Sequence, residues 1–326
     1  MQGKETSEQD TRAQSNAGID TSKHRLDACV LPCGERLAVA NNREGVRRLK
    51  RWLARFDPRL VAIEATGKWH RLLWRSLHAA GIPVAIVDPL KSRLFAKASG
   101  VLAKTDRLDA AMLAHFAAVM APAVRPPPPH LLEQLAELVA GRAAAVAEQT
   151  DLKNQLAAAA VALFRQQLTR RIARLDKDIE ALDRAILARI EADAGLARRF
   201  AILTSIPGIG AAVATTLIAR LAELGTLTDK QVAALAGLAP IARQSGQRDD
   251  KRVIFGGRAP VRRMLYLAAL SAARHNPDVA TFYRRLRANG KPAKLALVAV
   301  ARKLATLANL LIAQDRTWLP IPPNQA

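Results

Sequence analysis

The pattern of apolar and polar residues predicts a mixed α/β domain in the first 125 residues of the chain. Apolar and polar residues alternate between residues 17 and 40, with a turn at Pro32, Cys33 and Gly34, which predicts a β-hairpin. Short apolar runs predict buried strands at residues 59–65 and 82–89. Amphipathic patterns predict helices at 44–56, 69–80, 90–98 and 106–120. Apolar strands separated by amphipathic helices indicate an α/β sheet covered by helices.

Four successive prolines at residues 126–129 predict a stiff, extended connector. The chain from Leu131 to about Phe200 contains no proline and is rich in alanine, leucine, glutamate and arginine, which predicts two long helices. Apolar residues then repeat at spacings of three and four, the stripe of a coiled coil, at Ile172, Leu175, Ile179, Leu182, Ile186 and Ile190. A packed helical hairpin within one chain and a dimer-forming coiled coil fit this stripe equally well.

The remaining chain predicts a mainly α-helical C-terminal domain. A glycine-bearing turn with Gly208 and Gly210 leads directly into a helix, as in a helix-hairpin-helix element, where backbone N–H groups meet a phosphate. The same turn fits a simple joint between two packed helices. A short helix ending at Gly237 follows, and residues 284–303 predict one helix with seven basic residues and no acidic one. The predicted divisions are a disordered tail at 1–16, an α/β domain at 17–125, the linker and its helices at 126–200, the C-terminal domain at 201–316 and a tail at 317–326.

The composition indicates what kind of partner the protein binds. A formal charge of +22 and a pI near 11.1 favour a polyanionic partner, either nucleic acid or an anionic membrane. The sequence has no run of 18 apolar residues and no apolar signal segment, so we expect a cytoplasmic nucleic-acid-binding protein rather than a membrane protein. Two cysteines and scattered histidines argue against a zinc site or a disulfide framework. Any metal is therefore expected to be a hard cation with oxygen ligands.

Acidic residues form a candidate metal site even though they are the minority in this chain. Asp106 and Asp109 stand three positions apart as a helix begins, which places both on one face. The same pair fits an ordinary helix start, with Asp106 as N-cap and Asp109 at the third helical position. Asp20 and Glu64 lie on predicted strands of the same sheet. Four converging carboxylates would repel one another unless a divalent cation such as Mg²⁺ or Mn²⁺ were bound, which predicts phosphoryl chemistry.

A polar loop is predicted at residues 241–263, which carry seven basic residues against two acidic ones. Ser245 and the glycine after it, which alone would suggest only a turn, stand in its middle. Four basic residues around them are suited to hold a phosphate and to stabilise a pentacovalent transition state: Arg243, Arg248, Lys251 and Arg252. Arg262 and Arg263 are further candidate contacts to nucleic acid. No histidine or cysteine lies nearby, so a nucleophilic Ser245 would have to give its proton to a metal-bound hydroxide or a carboxylate elsewhere in the chain.

Five separated motifs carry a family resemblance over residues 17–312. In order they are GIDTSK, IEATG, KTDRLDA, SIPGIG and GLAPxxxxSG. This combination resembles the bridge-RNA-guided insertion-sequence transposases, which join an N-terminal RNase H/RuvC-like DEDD domain to a C-terminal transposase domain with an essential serine. The predicted fold is thus an RNase H/RuvC-like α/β domain, a helical coiled-coil connector and a mainly α-helical C-terminal domain with a helix-hairpin-helix-like element. The resemblance implies that the coiled coil helps to join protomers.

The resemblance also assigns roles to individual residues. Asp20, Glu64, Asp106 and Asp109 match the metal-binding tetrad of the family, and Ser245 matches its serine nucleophile. The implied reaction links the serine to a DNA 5′-phosphate and exchanges strands between donor and target DNA, with a structured guide RNA pairing to both. A homo-oligomer, dimer or tetramer, is implied as well, with the serine of one subunit completing the acidic site of another.

Two other functions remain compatible with the residues. In the first, the carboxylates belong to a metal-dependent DNA nuclease or Holliday-junction resolvase that hydrolyses DNA with water, and Ser245 is an ordinary turn residue. In the second, the chain is a nucleic-acid-binding protein without catalytic activity. Covalent trapping separates the serine mechanism from hydrolysis, and carboxylate substitutions separate both enzymes from a binding protein.

Overall fold

A computed structural model describes residues 15–65, 67–100, 106–245 and 248–319, and within these it describes the backbone alone at 106–108, 242–245 and 248–252. The chain divides into two compact units, residues 1–128 and 129–326. Each unit has its own apolar core. The predicted terminal tails lie almost entirely outside the described residues.

The first unit is built on a mixed five-stranded sheet, which confirms the predicted α/β class. Its strand order is β3-β2-β1-β4-β5; β1 is antiparallel to β2 and parallel to β4. The strands are β1 (Asn16–Thr21), β2 (Arg25–Leu31), β3 (Arg36–Ala40), β4 (Leu60–Glu64) and β5 (Val84–Val87). The helices are α1 (Arg43–Leu53), α2 (Arg71–His78), α3 (Pro89–Ala98) and α4 (Asp106–Met120).

The region predicted as one hairpin contains three strands. The predicted turn at Pro32 joins β2 to β3, and a second turn after Thr21 separates β1 from β2. At that second turn, the backbone amide of Arg25 donates to Ser22 Oγ at 3.0 Å. The run of polar residues Ser22, Lys23 and His24 breaks the apolar alternation, which is why the chain reverses there.

The two faces of this sheet are covered by different helices. Apolar residues of α1 and α2 pack with Ile19, Val61 and Ile63 on one face. On the other face, α4 packs with Ala62, Ala85 and Val87 through residues such as Leu113 and Phe116. Since side chains alternate along a strand, Gly18, Asp20 and Glu64 belong to the α4 face. The candidate carboxylates of the strands, Asp20 and Glu64, therefore lie on the sheet face that α4 covers.

Gly18 sets how closely α4 approaches the sheet. A Cβ atom at Gly18 would lie 2.2 Å from both the carbonyl oxygen of Ala110 and the amide nitrogen of Ala114, which is far inside van der Waals contact. Only a residue without a side chain permits this contact between backbones. The first turn of α4, with Asp106 and Asp109, is brought to the sheet by this close approach.

We expect Gly18→Ala to lower the free energy of unfolding by about 3 kcal/mol, because rigid helical backbone cannot move aside as a flexible side chain can. Gly141→Ala is the control: Gly141 lies within a helix with no atom within 4 Å of the added Cβ. That change should stabilise its helix by about 1 kcal/mol. Thermal unfolding followed by circular dichroism checks both, and an unchanged midpoint for Gly18→Ala would contradict the close packing.

The second unit is mainly helical, as predicted. Its helices are α5 (His130–Ala158), α6 (Ala162–Glu191), α7 (Ala194–Thr204), α8 (Ala211–Arg220), α9 (Asp229–Leu235), α10 (Ala259–His275), α11 (Pro277–Ala288) and α12 (Ala293–Ala313). Two long helices were expected between residues 131 and 200, and a third is present because the Asp193 side chain caps α7 by accepting from the Leu196 amide at 2.9 Å.

The helices α5 and α6 pack against each other as an antiparallel hairpin. The predicted apolar stripe is half-buried along most of α6 and fully buried at Ile186 and Ile190, which join the core of the second unit. Arg142 of α5 forms a salt bridge with Asp183 of α6. The two helices therefore pack as a hairpin within one chain, whereas participation of the stripe in a dimer stays a prediction.

The structure corrects the single basic helix predicted at residues 284–303. The chain forms α11 and α12 instead, separated by Gly290 with a φ of 75° and by Pro292 directly before α12. A positive φ and a proline both end a regular helix.

By length and composition alone, the helix α12 could cross a membrane. Half of its apolar stretch is buried within the unit, however, where Val300, Leu304 and Leu311 join the core.

The structure also corrects the loop predicted at residues 241–263. Most of it is an antiparallel ribbon of β6 (Pro240–Ser245) and β7 (Arg248–Ile254), and α10 then begins at Ala259. Only two residues, a glycine and a glutamine, separate the two strands in the sequence. That spacing is typical of a tight β-hairpin, and it was hidden by the many charged residues of β7.

Candidate functional site

The first unit places two of the predicted carboxylates side by side at the carboxyl ends of parallel strands. The register of β1 and β4 pairs Gly18 with Ala62 and Ile19 with Ile63. The next residue on each strand is acidic, Asp20 and Glu64, and both are partly exposed. Neighbouring strands lie about 4.8 Å apart, so two side chains at adjacent positions on one face start close together.

The other two carboxylates stand in the first turn of α4. Asp109 directly precedes Ala110, whose carbonyl oxygen is one of the backbone atoms next to Gly18, two residues before Asp20. The described part of α4 starts at Asp106, and residues 101–105 before it lie outside the described residues. The side chain of Asp106 lies outside what the structure describes. The fold thus brings three of the four predicted positions to one end of one sheet face, and the backbone of the fourth to the same helical turn.

The fit of these residues to a divalent metal rests on their chemistry and placement. Their donors are carboxylate oxygens, the ligands that Mg²⁺ and Mn²⁺ prefer. Among the described side chains, no three acidic, histidine or cysteine groups are drawn together closely enough to hold an ion. The residues thus fit such a metal by the chemistry of their donors and by their place at one end of the sheet.

Ser92 is a contact of this site that sequence reasoning missed. Its hydroxyl lies 2.9 Å from Glu64 Oε2, and the residue is 1% exposed. Ser92 lies on α3, which begins directly after β5, and β5 pairs Val87 with Glu64. A lone serine within a predicted helix gave no signal, because only the parallel pairing of β4 and β5 brings it to the carboxylate.

A fifth carboxylate, Asp27, lies opposite Asp20 in the antiparallel register of β1 and β2. Arg25 binds it through two nitrogens: Nε lies 2.8 Å from Oδ2 and Nη2 lies 2.7 Å from Oδ1. The Asp27 side chain is only 9% exposed. Since its charge is already balanced by a bidentate guanidinium, Asp27 is poorly suited to hold a metal.

In the second unit, Ser245 is the last residue of β6 and pairs in register with Arg248, the first residue of β7. Arg243 pairs with Asp250, and Lys251 and Arg252 continue β7. The backbone therefore places the predicted serine at the tip of the ribbon with basic positions on both strands. The side chains of residues 242–252 lie outside what the structure describes.

The base of the ribbon is fixed by close contacts between backbones. A Cβ atom at Gly257 would lie 2.2 Å from the amide nitrogen of Gly237, and both glycines have a positive φ. Arg258 then donates from both terminal nitrogens to the Glu223 carboxylate, at 2.7 and 2.6 Å. The glycine contact holds the start of α10 against the end of α9, and the ion pair ties it to the segment after α8, so the base of the ribbon is held at two places.

The other predicted nucleic-acid contacts have different surroundings. Arg262 donates to the Gly256 carbonyl oxygen at 2.6 Å, which is a structural contact, whereas Arg263 is exposed. Gly208, with a φ of 103°, has room for no Cβ because Ala272 of α10 lies against it. Its packing thus gives one reason for a glycine there. Gly210 is exposed at the N-cap of α8, the position from which a helix start can meet a phosphate.

Basic residues also cover α11 and the start of α12. Most of them are exposed, and Lys303 Nζ and the guanidinium of Arg285 lie 4.9 and 5.6 Å from the centre of the Phe282 ring. The exposed basic residues of this surface are Arg284, Arg285, Arg287, Lys291, Lys294 and Lys303. A surface with this charge is suited to backbone phosphates.

Comparison with known proteins gives two family matches and several relatives. Residues 17–165 match a DEDD-type transposase domain described as "Transposase", and residues 200–284 match a domain described as "Transposase IS116/IS110/IS902 family". The chain is 29% identical over 315 residues to the pilin gene-inverting protein of Moraxella bovis, covering 92% of this chain and 96% of the relative. It is 34% identical over 105 residues to an uncharacterized 43.6 kDa protein of insertion element IS110 from Streptomyces coelicolor, covering 31% of this chain and 26% of that protein.

Proposed function

Since this chain belongs to the IS110/IS116/IS902 family of insertion-sequence transposases and DNA invertases, we propose that it cuts and rejoins DNA through a covalent bond between Ser245 and a DNA phosphate. The chain is a DNA transposase, an enzyme of phosphoryl transfer that acts on DNA. The finer proposal concerns the residues that perform the transfer: Ser245 as nucleophile, and Asp20, Glu64, Asp106 and Asp109 as ligands of a divalent metal.

The observation that carries the proposal is the placement of the carboxylates. Asp20 and Glu64 end neighbouring parallel strands on the sheet face that α4 covers, and α4 contributes Asp109 in its first turn. Acidic residues are scarce in a chain with a formal charge of +22, so their convergence is unlike the rest of the sequence. Carboxylate oxygens are the donors that a divalent cation prefers, so these positions at one end of the sheet are suited to hold one.

The DEDD transposase domain implies dependence on a divalent metal. We assign Mg²⁺ or Mn²⁺, because the donor set consists of carboxylate oxygens. When bound, the metal supplies positive charge that offsets the negative charge developing on the phosphate oxygens. The carboxylates hold it, and the packing of α4 against Gly18 fixes the distance between the helix and the strand ends.

Ser245 supplies the nucleophile in this mechanism. Its Oγ bonds to the phosphorus as the bond from phosphorus to the 3′ oxygen breaks. The serine proton is transferred to the departing 3′ oxygen, which leaves as a hydroxyl. The product is a 5′-phosphoserine, which stores the energy of the phosphodiester. The reverse reaction with a different 3′ hydroxyl joins new strands without any further energy source.

The basic positions around the serine hold the substrate phosphates in this proposal. Arg243, Arg248, Lys251 and Arg252 flank Ser245 along the ribbon, and their charges balance the transition state. Arg263 and the exposed basic surface of α11 and α12 bind the DNA backbone further away. Arg262 contributes through its position at the base of the ribbon. Gly208 and Gly210 contribute through the turn before α8, where backbone N–H groups face the phosphate.

The name of the Moraxella relative favours rejoining over simple cutting. That protein is described as inverting a pilin gene. An inversion cuts DNA and joins the ends in the opposite order, which a nuclease that uses water as nucleophile does not do by itself. A covalent serine intermediate supplies the joining step, so we favour recombination over a metal-dependent nuclease or junction resolvase.

Site selection and assembly complete the proposal. We assign the choice of donor and target DNA to a bridge RNA that pairs with both, while the protein binds phosphates and duplex shape. Aromatic residues make up only 4% of the chain, so base stacking has a small part in this binding. A dimer or tetramer provides one serine for each strand that is cut. The protein works in the cytoplasm, where its DNA lies, and we expect it on the nucleoid.

Covalent trapping tests the proposed function directly. The full-length protein is incubated with the noncoding RNA that flanks the element, with Mg²⁺ and with a plasmid that carries the element's junction. We expect a protein–DNA adduct that survives denaturant, requires the metal and is removed by protease. Cleaved DNA without any adduct would contradict the serine mechanism and leave a hydrolytic nuclease.

A further inference from the structure

Glu64 receives a hydrogen bond from a fully buried serine on a different element. Ser92 Oγ lies 2.9 Å from Glu64 Oε2 and 3.1 Å from the carbonyl oxygen of Pro89. Ser92 is 1% exposed, whereas Glu64 is partly exposed. A buried hydroxyl thus meets an accessible carboxylate at the end of the sheet where the other candidate ligands lie.

The direction of this hydrogen bond follows from the chemistry of the two groups. An ionised carboxylate and a backbone carbonyl only accept, so the single proton of Ser92 must serve both contacts. The shorter contact is with the charged acceptor, and hydrogen bonds to charged groups are the stronger kind. Ser92 therefore donates mainly to Glu64, and the carbonyl of Pro89 is a secondary acceptor.

The local fold fixes the hydroxyl in place. Asp88 Oδ1 caps α3 by accepting from the Leu90 amide at 2.8 Å, and Pro89 occupies the first turn of the helix. The Ser92 amide then donates to the Asp88 carbonyl oxygen at 3.1 Å. Because α3 starts directly after β5, whose Val87 pairs with Glu64, the first helical turn carries Ser92 back over the end of β4.

We propose that Ser92 is a positioning residue that holds the carboxylate of Glu64 in the orientation in which it binds the divalent metal. This inference rests on the proposed metal role of Glu64. A glutamate side chain has three rotatable bonds, so an unrestrained carboxylate samples many orientations. A bond to one carboxylate oxygen restrains that rotation and presents the other oxygen in a fixed direction, as outer-sphere partners of metal ligands do.

The test measures metal binding without any DNA reaction. Binding of Mn²⁺ to full-length protein is followed by electron paramagnetic resonance for the natural sequence and for Ser92→Ala, Ser92→Thr and Glu64→Gln. We expect Ser92→Ala to weaken Mn²⁺ binding about tenfold, the lower end of the range typical for such partners. Ser92→Thr keeps the hydroxyl and should restore most of the affinity, which a purely structural role would not require.

Controls separate this inference from the metal assignment on which it rests. Ser99→Ala, at the exposed end of the same helix, should bind Mn²⁺ like the natural sequence. Ser92→Cys, with nearly the same shape and a weak donor, replaces Ser92→Ala if that variant fails to fold. If Glu64→Gln weakens Mn²⁺ binding and the Ser92 variants do not, the positioning role is wrong while the metal assignment stands. If Glu64→Gln also binds Mn²⁺ normally, both are wrong.

Discussion

Replacing Ser245 by alanine is expected to abolish the covalent protein–DNA adduct and to lower recombination by at least about 10³-fold, since the reaction loses its only nucleophile. Binding of DNA should change little, because the substitution removes a single uncharged hydroxyl and leaves the basic positions of β6 and β7 in place. The measurement is the denaturant-resistant adduct on a labelled junction plasmid, with DNA binding measured on the same preparation by gel shift.

Two further variants make this result specific. Ser271→Ala removes an exposed hydroxyl from α10 in the same unit and should form the adduct at the normal rate. Ser245→Cys retains a nucleophile, so it should form a smaller amount of adduct, joined through sulfur. Cutting by Ser245→Ala at the rate of the natural sequence would show that water is the nucleophile and would support the nuclease alternative.

The elements of the first unit could be predicted because local patterns decide them. Its buried strands β4 and β5 are short apolar runs, and α4 begins and ends where the pattern of residues 106–120 predicted. The predicted elements were wrong where many charged residues obscured the local pattern of apolar residues. Five of the seven residues of β7 are charged, so the alternation of a strand was not visible there, and the break between α11 and α12 falls in a segment rich in basic residues.

The candidate site was predictable in its residue types and not in its contacts. Asp20 and Glu64 could be assigned to strand ends from the sequence, yet only the parallel register shows that they occupy neighbouring positions. Ser92 was missed because its contact joins residues 28 positions apart through β5 and α3. Asp27 was missed for a similar reason: its guanidinium partner and its position opposite Asp20 depend on the turn between β1 and β2.

The second large effect is expected at Asp20 and Glu64, which the parallel register of β1 and β4 places at neighbouring positions. Asp20→Asn and Glu64→Gln each replace a charged oxygen by an amide of the same shape, and each should lower the formation of adduct and product by at least about 10²-fold, as expected when one contact to the transition-state charge is removed. The loss arises at the metal, so excess Mg²⁺ or Mn²⁺ should restore part of the activity. The measurement is adduct formation over a range of metal concentrations.

Stability should move in the opposite direction from activity. Without metal, Asp20 and Glu64 repel each other and the nearby Asp109, so removing one charge relieves that repulsion. We expect the metal-free variants to be more stable by about 1 kcal/mol, which raises the melting temperature by about 2–4 °C. Glu44→Gln, on the exposed first turn of α1, is the matched control and should change neither quantity.

This pair of measurements separates a metal site from a structural acidic cluster. If Asp20 and Glu64 served the fold, their substitution would lower the melting temperature together with the activity. If they hold a metal, the substitutions lower adduct formation in a protein that, without metal, melts higher than the natural sequence. Low concentrations of Mg²⁺ then raise the melting temperature of the natural sequence more than that of the variants. Full activity of either variant at low Mg²⁺ would contradict the assignment, because a site that has lost one of its charged ligands binds the metal more weakly.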